Sequence, residues 1–290
     1  MNFNSLTYLF FLILVVVIYW SLSRKYKLIL LFFSSMTFYG FWRIDFIPLI
    51  LLSVIVDFYA AIFIDKAYSR NLKKIFLYIS LITNLVILFV FKYFIFFTET
   101  INFLGASVGL EINLPIINIL LPIGISFYTF QSMSYTIDVY RGKIKPNKEF
   151  LLFANYVVFF PQLVAGPILR ANEIIWQLDK KPNFDLRNIE VGIKKIFIGL
   201  FLKTVLSDNL AILVDDGFTV PTEFLSAIDV LTLSFSFGFQ IYFDFAGYSF
   251  IAIGSAMLMG IKFPENFEFP YLSKSPREFW QRWHISLSSW

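Results

Sequence analysis

The sequence contains no cysteine and a single histidine, His284. The absence of cysteine excludes disulfides, thiolate nucleophiles and cysteine-based metal sites. One histidine also excludes a histidine-rich metal site, so no metal ion is predicted. His284 is therefore the only side chain whose ordinary pKa lies near neutrality, and any acid–base chemistry near pH 7 is predicted there.

Charged residues are scarce as well. They make up 15% of the chain, against 58% hydrophobic residues, whereas a soluble domain has roughly a quarter charged residues. The 38 Phe and 15 Tyr exceed what one soluble core could bury. The net charge of +4 comes from short basic clusters between long apolar blocks, so nucleic-acid binding is not predicted. The composition predicts an all-α polytopic membrane protein embedded in the lipid bilayer.

The first apolar block lacks the features of a signal peptide. No basic region precedes it and no small-residue cleavage site follows it, so it is predicted to be a retained helix. A membrane-spanning helix needs about 20 largely apolar residues. On that basis five spans are predicted, at residues 6–22, 28–42, 46–64, 75–97 and 114–139.

Basic residues between these spans predict the orientation. The connections after the five spans carry 3, 1, 4, 0 and 4 Lys or Arg residues in turn. Cytoplasmic loops carry the excess of positive charge. The alternation predicts an N-terminus outside the cytoplasm.

The block that follows is predicted to be broken. Residues 150–160 are apolar but too short to span, and they run into Pro161, Gly166 and Pro167. Prolines and glycine free backbone groups that lipid cannot satisfy, so such backbone belongs inside protein or along a wet cavity. A re-entrant segment is therefore predicted here.

The remaining apolar blocks complete one predicted membrane domain over residues 1–290. A polar stretch at 172–188 precedes a partly interfacial helix at about 189–206. One or two spans are predicted at 224–242 and 245–260. No internal repeat or low-complexity linker divides the chain.

A last helix is predicted to begin at Ser275. Ser275, Pro276 and Glu278 form a capping-box pattern. On one continuous helix Phe279, Trp283, Leu287 and Trp290 would share a stripe, with Trp280 and His284 on an adjacent face. No stop signal follows Leu287, so the chain is expected to be a fragment of a longer protein.

Two polar residues are candidates for chemistry, and each has a structural alternative. His284 is a candidate general base; alternatively it is an interfacial histidine bonded to a backbone carbonyl. Asp244 is an acid in an apolar stretch and shares a helix face with Gln240 and Tyr248. Alternatively, that face makes a helix–helix hydrogen bond. Other acids and bases near spans are predicted to be paired structurally: Asp57, Lys92 and Asp138.

Two further residues are candidates for a substrate path. Gln131 follows Pro122 and Gly124, which predict a kink. It lines a tunnel or simply packs between helices. Arg170 closes the broken segment and could hold a phosphate or carboxylate, or serve only as a cytoplasmic topology residue.

Four strings carry a resemblance to a known family. They are LPIGISFYTFQSMSYTIDVYRG (121–142), FFPQLVAGPILR (159–170), DFAGYSFIAIGSAMLMG (244–260) and PENFEFPYLSKSPREFWQRWHISLSSW (264–290). In this order they resemble the bacterial membrane-bound O-acyltransferase (MBOAT) family, in its alginate O-acetylation branch. The resemblance implies a ring of transmembrane helices with re-entrant segments around a central funnel or tunnel, in the bacterial cytoplasmic membrane.

The resemblance also implies an activity. Family members transfer an acyl group, often acetyl from a thioester such as acetyl-CoA, across the membrane. The acceptor is a polysaccharide hydroxyl or an extracytoplasmic acetyltransferase partner that relays the group. No bound cofactor is expected. His284 matches the histidine of the RWHISLS-type motif, Trp280, Arg282 and Trp283 match its flanks, and Asn266, Pro270 and Tyr271 match the preceding strip. Taken with the candidates above, the predicted substrate- or tunnel-lining residues are Gln131, Arg170, Gln240, Asp244, Asn266, Trp280 and Trp283.

The family pattern continues beyond this sequence. A second histidine, which the family usually assigns the central catalytic role, would follow further on. The chain by itself is therefore expected to be inactive. The alternative functions are a transporter or flippase, which also uses broken helices and buried acids, and a non-catalytic assembly remnant.

Overall fold

The computed structural model describes residues 1–110, 113–115, 119–164, 166–180 and 184–290. Parts of three predicted segments lie outside the described residues: 116–118 of the fifth span, Ala165 of the broken segment and 181–183 of the polar stretch. Within the described ranges the regular structure is entirely helical, as predicted.

The α-helices of the described ranges follow one another in chain order. They are α1 (Leu6–Ser21), α2 (Arg24–Gly40), α3 (Ile47–Lys66), α4 (Arg70–Leu88), α5 (Phe94–Ser107), α6 (Ile125–Tyr140), α7 (Phe150–Val158), α8 (Phe160–Leu163), α9 (Ala171–Asp179), α10 (Leu186–Leu200), α11 (Asp208–Thr219), α12 (Ala227–Leu258), α13 (Pro276–Arg282) and α14 (Ile285–Ser289). π-helical turns at Phe89–Tyr93 and Phe201–Ser207 join α4 to α5 and α10 to α11.

In the described part of the chain, four continuous helical stretches are long and apolar enough to cross a membrane. They are Ile44–Lys66, Arg70–Ser107, Leu186–Thr219 and Ala227–Leu258. The apolar helix Leu6–Ser21 is shorter. A multi-pass membrane protein is thereby confirmed, while the predicted orientation stays a prediction.

The fifth predicted span is wrong in its first half. Residues 113–115 and 119–124 are not helical, and α6 begins only at Ile125. Gly124, at the N-cap, is left-handed (φ 75°), and Pro122 has no amide hydrogen to donate. The predicted kink is therefore the start of the helix.

The predicted break between residues 150 and 167 is confirmed. Helix α7 ends at Val158, Phe159 leaves the helical conformation (φ −54°, ψ 114°), and the single turn α8 follows. The buried amide of Phe160 donates to Ser35 Oγ at 3.0 Å. A side chain thus satisfies one of the backbone groups released by the break, as the bilayer interior requires.

The last two predicted spans form one helix, α12, of 32 residues. Its start is fixed by a capping box in which Ser226 and Asp229 bond each other's backbone amides. The predicted helix at 189–206 also extends, from Leu186 to Thr219 through the π-helical turn.

The described residues group into two compact units. Unit 1 comprises Met1–Trp42 and Val158–Trp290, and unit 2 comprises Arg43–Val157. In unit 1, α10 and α12 pack against each other at glycines. A Cβ on Gly199 would lie 2.5 Å from the Gly247 carbonyl oxygen, and one on Gly254 would lie 2.6 Å from that of Gly192. Only glycine permits this approach of two backbones.

In unit 2, α3, α4 and α6 are joined by a polar cluster around Asp57. The Asp57 carboxylate is 0% exposed and accepts from Ser80 Oγ at 2.5 Å, from Asn84 Nδ2 at 2.9 Å and from Ser132 Oγ. Ser53 Oγ donates to Asn84 Oδ1 at 2.6 Å. The predicted structural pairing of Asp57 is confirmed.

The other two predicted pairings also lie within unit 2. Asp138 pairs with Lys143 at 3.6 Å. Lys92 Nζ donates to Ser126 Oγ at 3.4 Å. Both side chains are therefore used within the fold, as predicted.

Candidate functional site

The helix predicted from Ser275 forms, and its cap has the expected donor. Ser275 Oγ accepts from the Glu278 amide at 3.2 Å, while the Glu278 carboxylate accepts from the Lys274 amide at 2.8 Å. The cap therefore closes one residue further back than a standard capping box, in which Glu278 would reach the Ser275 amide.

The prediction of one continuous helix through His284 is wrong. Helix α13 ends at Arg282, His284 takes a left-handed conformation (φ 43°, ψ 55°), and α14 begins at Ile285. The predicted helical stripe of aromatic residues is therefore interrupted in its middle. A left-handed residue other than glycine costs about 1–3 kcal/mol and persists only where its surroundings impose it.

The surroundings that impose it come from residues 261–275, which we term the strap. The Glu268 amide donates to the Arg282 carbonyl at 3.0 Å, just before the turn. Just after it, the Ile285 amide donates to the Asn266 carbonyl at 3.0 Å. The backbone is thus fixed on both sides of His284.

Asn266 makes further contacts through its side chain. Asn266 Oδ1 accepts from the Ser286 amide at 3.2 Å and from Ser286 Oγ at 2.8 Å. Ser286 Oγ in turn accepts from the Ile168 amide at 2.9 Å, which ties the turn to the segment after α8. Asn266 is 1% exposed, and among the described residues its Nδ2 has no hydrogen-bond partner.

Aromatic rings enclose the turn. The Phe245 ring meets the His284 imidazole edge-on with centroids 4.7 Å apart. Trp283 stacks on Phe279 at 5.5 Å and meets Phe267 edge-on at 5.2 Å. These separations are those of attractive aromatic pairs, so the rings form a packed wall around the histidine.

This enclosure sets the protonation of His284. The residue is 7% exposed, and its burial lowers the imidazole pKa from 6.5 to about 4, because burial penalises the charged form. The imidazole is therefore neutral at pH 7. It can accept a proton only if a bound group compensates for the lost hydration of the imidazolium.

Arg170 holds the other end of α14. Its guanidinium donates to the carbonyls of Ser289 at 2.8 Å and Trp290 at 3.4 Å. A cation is favourable beside the last carbonyls of a helix. The predicted phosphate or carboxylate contact of Arg170 stays a prediction, and the contact present is to backbone.

The predicted polar face of α12 is contacted by Lys203 and Ser207 of the π-helical turn between α10 and α11. Lys203 Nζ lies 2.5 Å from Asp244 Oδ1 and 2.7 Å from Asp208 Oδ1, and 5.4 Å from the Tyr248 ring centroid. Ser207 Oγ donates to the Gln240 carbonyl at 3.1 Å. A helix–helix contact, the alternative stated for this face in the sequence analysis, is therefore present.

The remaining predicted residues divide between the units. Trp283 lies in the aromatic wall beside His284, but Trp280 on α13 is 56% exposed and meets Phe279 edge-on at 5.4 Å. Gln131 lies in unit 2, where its Nε2 donates to the Tyr156 carbonyl at 2.5 Å. This is a contact within the fold, and the role of Gln131 in a substrate path stays a prediction.

Two contributors were missed from the sequence. Ser286 links Asn266 to Ile168, and Phe245 touches the imidazole. Both lie within strings that carried the resemblance, so their position was a signal. Neither residue type points to chemistry by itself.

These features define a multi-pass helical membrane protein with a neutral histidine held in a strained turn. Residues 145–290 match the membrane-bound O-acyltransferase (MBOAT) family. Since this is half of the chain, the chain belongs to that family.

Curated relatives that are named for different activities are similar to the chain. A probable alginate O-acetylase AlgI of Pseudomonas syringae pv. tomato is 38% identical over 294 residues, covering 100% of the chain. A peptidoglycan O-acetyltransferase of Helicobacter pylori is 36% identical over 88% of the chain. A teichoic acid D-alanyltransferase of Bacillus subtilis is 33% identical over 60% of it. The chain spans 56%, 52% and 44% of these relatives.

Proposed function

We propose that the protein is a membrane O-acyltransferase that transfers an acetyl group to a cell-surface polysaccharide. The observation that carries the proposal is the buried, neutral His284 in a strained turn, within the residues that match the family. A neutral imidazole can take a proton from an acceptor hydroxyl as its oxygen attacks the acyl carbon, and can return that proton to the thiolate that leaves when the thioester C–S bond breaks. Acetyl-CoA or another thioester would be the donor.

The strained turn favours a catalytic over a purely structural histidine. Backbone strain concentrates at functional sites, where a side chain must be aimed and not merely packed. The aromatic wall also excludes water, which would otherwise hydrolyse a thioester in competition with the acceptor.

The acceptor proposed first is an exopolysaccharide hydroxyl, because AlgI-named relatives align over the whole chain. A peptidoglycan or teichoic-acid acceptor is the variation that other relatives suggest. We further propose that the acyl group crosses the cytoplasmic membrane and reaches the polymer directly or through an extracytoplasmic acetyltransferase.

The activity test uses membranes of a host that expresses the complete open reading frame encoding this chain. Labelled acetyl-CoA and polysaccharide are added, and alkali-labile acetyl ester on the polymer is counted. His284→Ala should lower transfer at least about 100-fold, the usual contribution of general acid–base catalysis. Glu190→Gln, which removes an exposed ion pair on α10, is the matched control and should leave transfer unchanged.

The possible negative results of the activity test lead to different conclusions. Unchanged transfer in His284→Ala would remove His284 from the chemistry. Uptake of solute without ester formation would favour a transporter or flippase, and neither activity would favour an assembly role.

The proposed orientation has a separate test that uses the absence of cysteine. Tyr68→Cys and Val108→Cys each create a single thiol at an exposed position before and after the stretch Arg70–Ser107. With the N-terminus outside, a membrane-impermeant maleimide should label Val108→Cys in intact spheroplasts. It should label Tyr68→Cys only after permeabilisation, and the reverse pattern would invert the topology.

A further inference from the structure

We propose that Asn266 is a positioning residue that holds the His284 turn in its left-handed conformation. Its relevance to acyl transfer rests on the proposed function, whereas the positioning itself is a property of the fold.

The cap of α14 comes from a distant residue. The first amides of a helix have no partner within the helix and are usually met by the side chain of the N-cap residue itself. His284 occupies the N-cap position but makes no side-chain cap hydrogen bond. Instead Asn266 meets the amides of Ile285 through its carbonyl oxygen and of Ser286 through Oδ1. The imidazole is thus not used in capping.

The side-chain amide of Asn266 has a defined orientation. The Ser286 amide can only donate, so the Asn266 atom that faces it is the oxygen. Ser286 Oγ donates to the same oxygen. Removing Oδ1 would therefore remove two hydrogen bonds from the residue that lies two positions after His284, while the backbone bond to Ile285 would remain.

Because the turn at His284 is strained, the stabilising effect of the Asn266 hydrogen bonds depends on which residue occupies position 284. Glycine adopts φ 43°, ψ 55° without a steric cost. Without Oδ1 the unaltered turn can relax and recover its strain energy, which offsets part of the lost hydrogen bonds. A His284→Gly turn has no strain to recover, so the loss of Asn266 should cost more there. A residue that merely contributes core hydrogen bonds would cost the same in both backgrounds, because independent effects add.

The first experiment is a double-mutant cycle on the purified chain in detergent. Asn266→Ala should lower the melting temperature by about 6 °C, an estimate for two lost buried hydrogen bonds in a chain of this size. In the His284→Gly background the same substitution should lower it further, because no strain is recovered there. Equal shifts in the two backgrounds would overturn the proposal. If Asn266→Ala does not fold, Ser286→Ala replaces it in the same cycle.

The second experiment uses His284 as the only histidine of the chain. With ¹⁵N-labelled histidine, one imidazole signal is titrated in the unaltered chain, in Asn266→Ala and in the matched exposed control Asn172→Ala. The charged side chains around the turn stay the same: Asp244, Glu268, Glu278 and Arg282. A shift in the midpoint therefore reports a change in exposure.

We expect Asn266→Ala to move the titration midpoint by at least one pH unit toward 6.5, and to speed carbethoxylation of His284 about fivefold or more, since an exposed imidazole is charged more easily. Asn172→Ala should change neither. An unchanged midpoint and rate in Asn266→Ala would also overturn the proposal. Neither readout uses acyl transfer, so a failed proposed function would leave both interpretable.

Discussion

The two units hold their long helices together by different means. In unit 2, α3, α4 and α6 meet at the Asp57 cluster, where each hydroxyl and amide side chain has a hydrogen-bond partner. In unit 1, α10 and α12 approach through glycines, and the ion pair of Lys203 with Asp244 lies beside this contact. Both are known solutions for helix packing in lipid, where apolar burial alone does not favour association.

The difference shows how each unit uses its polar residues. The Asp57 cluster is closed on itself, so its polar atoms serve the fold. In unit 1 the glycines bring α10 and α12 together, while Asn266 and Ser286 hold the turn at His284. Among the described residues, Asn266 Nδ2 and Gln240 Oε1 are buried without a hydrogen-bond partner. Buried polar atoms without a partner call for an explanation, and a bound ligand is one.

The largest effect on this difference between the units is expected from removing the Asp57 carboxylate. Asp57→Ala would leave the donors of Ser80, Asn84 and Ser132 buried without their acceptor, at about 1–3 kcal/mol each. We expect the unfolding free energy to fall by about 3 kcal/mol or more, measured by thermal unfolding in detergent. Asp65→Ala, at an exposed position on the same helix, is the control. Equal stability of the two variants would show that the cluster does not hold unit 2 together.

The glycine contacts of unit 1 should be the next most sensitive. Gly199→Ala and Gly254→Ala each place a Cβ within 2.6 Å of a facing carbonyl oxygen, and overpacking of this kind costs up to about 3 kcal/mol. Gly238→Ala, on the same α12, meets Tyr271 Oη at 3.5 Å, an ordinary contact. It should be neutral or slightly stabilising. The melting temperatures of the three variants test this expectation. If Gly238→Ala were destabilised and Gly254→Ala were not, the close contact of α10 and α12 would not depend on glycine at position 254.

His284 should make unit 1 sensitive to mild acid. Its folded pKa of about 4 lies below the unfolded 6.5, so the unfolded chain binds the proton first as pH falls. Stability is full above pH 6.5 and is lost down to pH 4, by about 2 kcal/mol at pH 5. Thermal unfolding from pH 8 to pH 5 measures the loss. His284→Asn keeps a residue that tolerates the left-handed turn and should flatten this part of the profile.

The smallest expected effect is at the cap of α13. Ser275→Ala removes the oxygen that accepts from the Glu278 amide and should cost about 1 kcal/mol. The melting temperature should fall by roughly 2–4 °C in a chain of this size. Ser289→Ala, whose Oγ donates within α14 at 3.1 Å, is a nearby control. If Ser289→Ala lowered the melting temperature more than Ser275→Ala, the stability of this region would depend more on α14 than on the cap of α13.

Sequence patterns with a local cause were predicted well. The apolar blocks predicted the long helices, Pro161 and its neighbours predicted the break, and the Ser275 pattern predicted the start of α13. Asp57 was read as structural because a charge inside a span needs partners. These features depend on residues within one or two helical turns, so local sequence patterns are enough to predict them.

Patterns that depend on distant partners were missed. The residues around His284 keep helical spacing, and nothing local predicts that the helix stops at Arg282. The cause is Asn266, which lies 18 positions away and bonds the two residues that follow the turn. Likewise the sequence left open whether Asp244 serves chemistry or a helix–helix contact, since its partner, Lys203, lies in another helical segment.

The sequence alone therefore determined that this chain is a multi-pass helical membrane protein with one candidate for acid–base chemistry, since composition and hydropathy act over short distances. Only the tertiary structure decided that His284 is buried, neutral and left-handed, and that Asn266, not the local sequence, caps the helix after it. Such a turn is strained when taken by itself. It exists because hydrogen bonds from a segment far away in the chain outweigh its local cost.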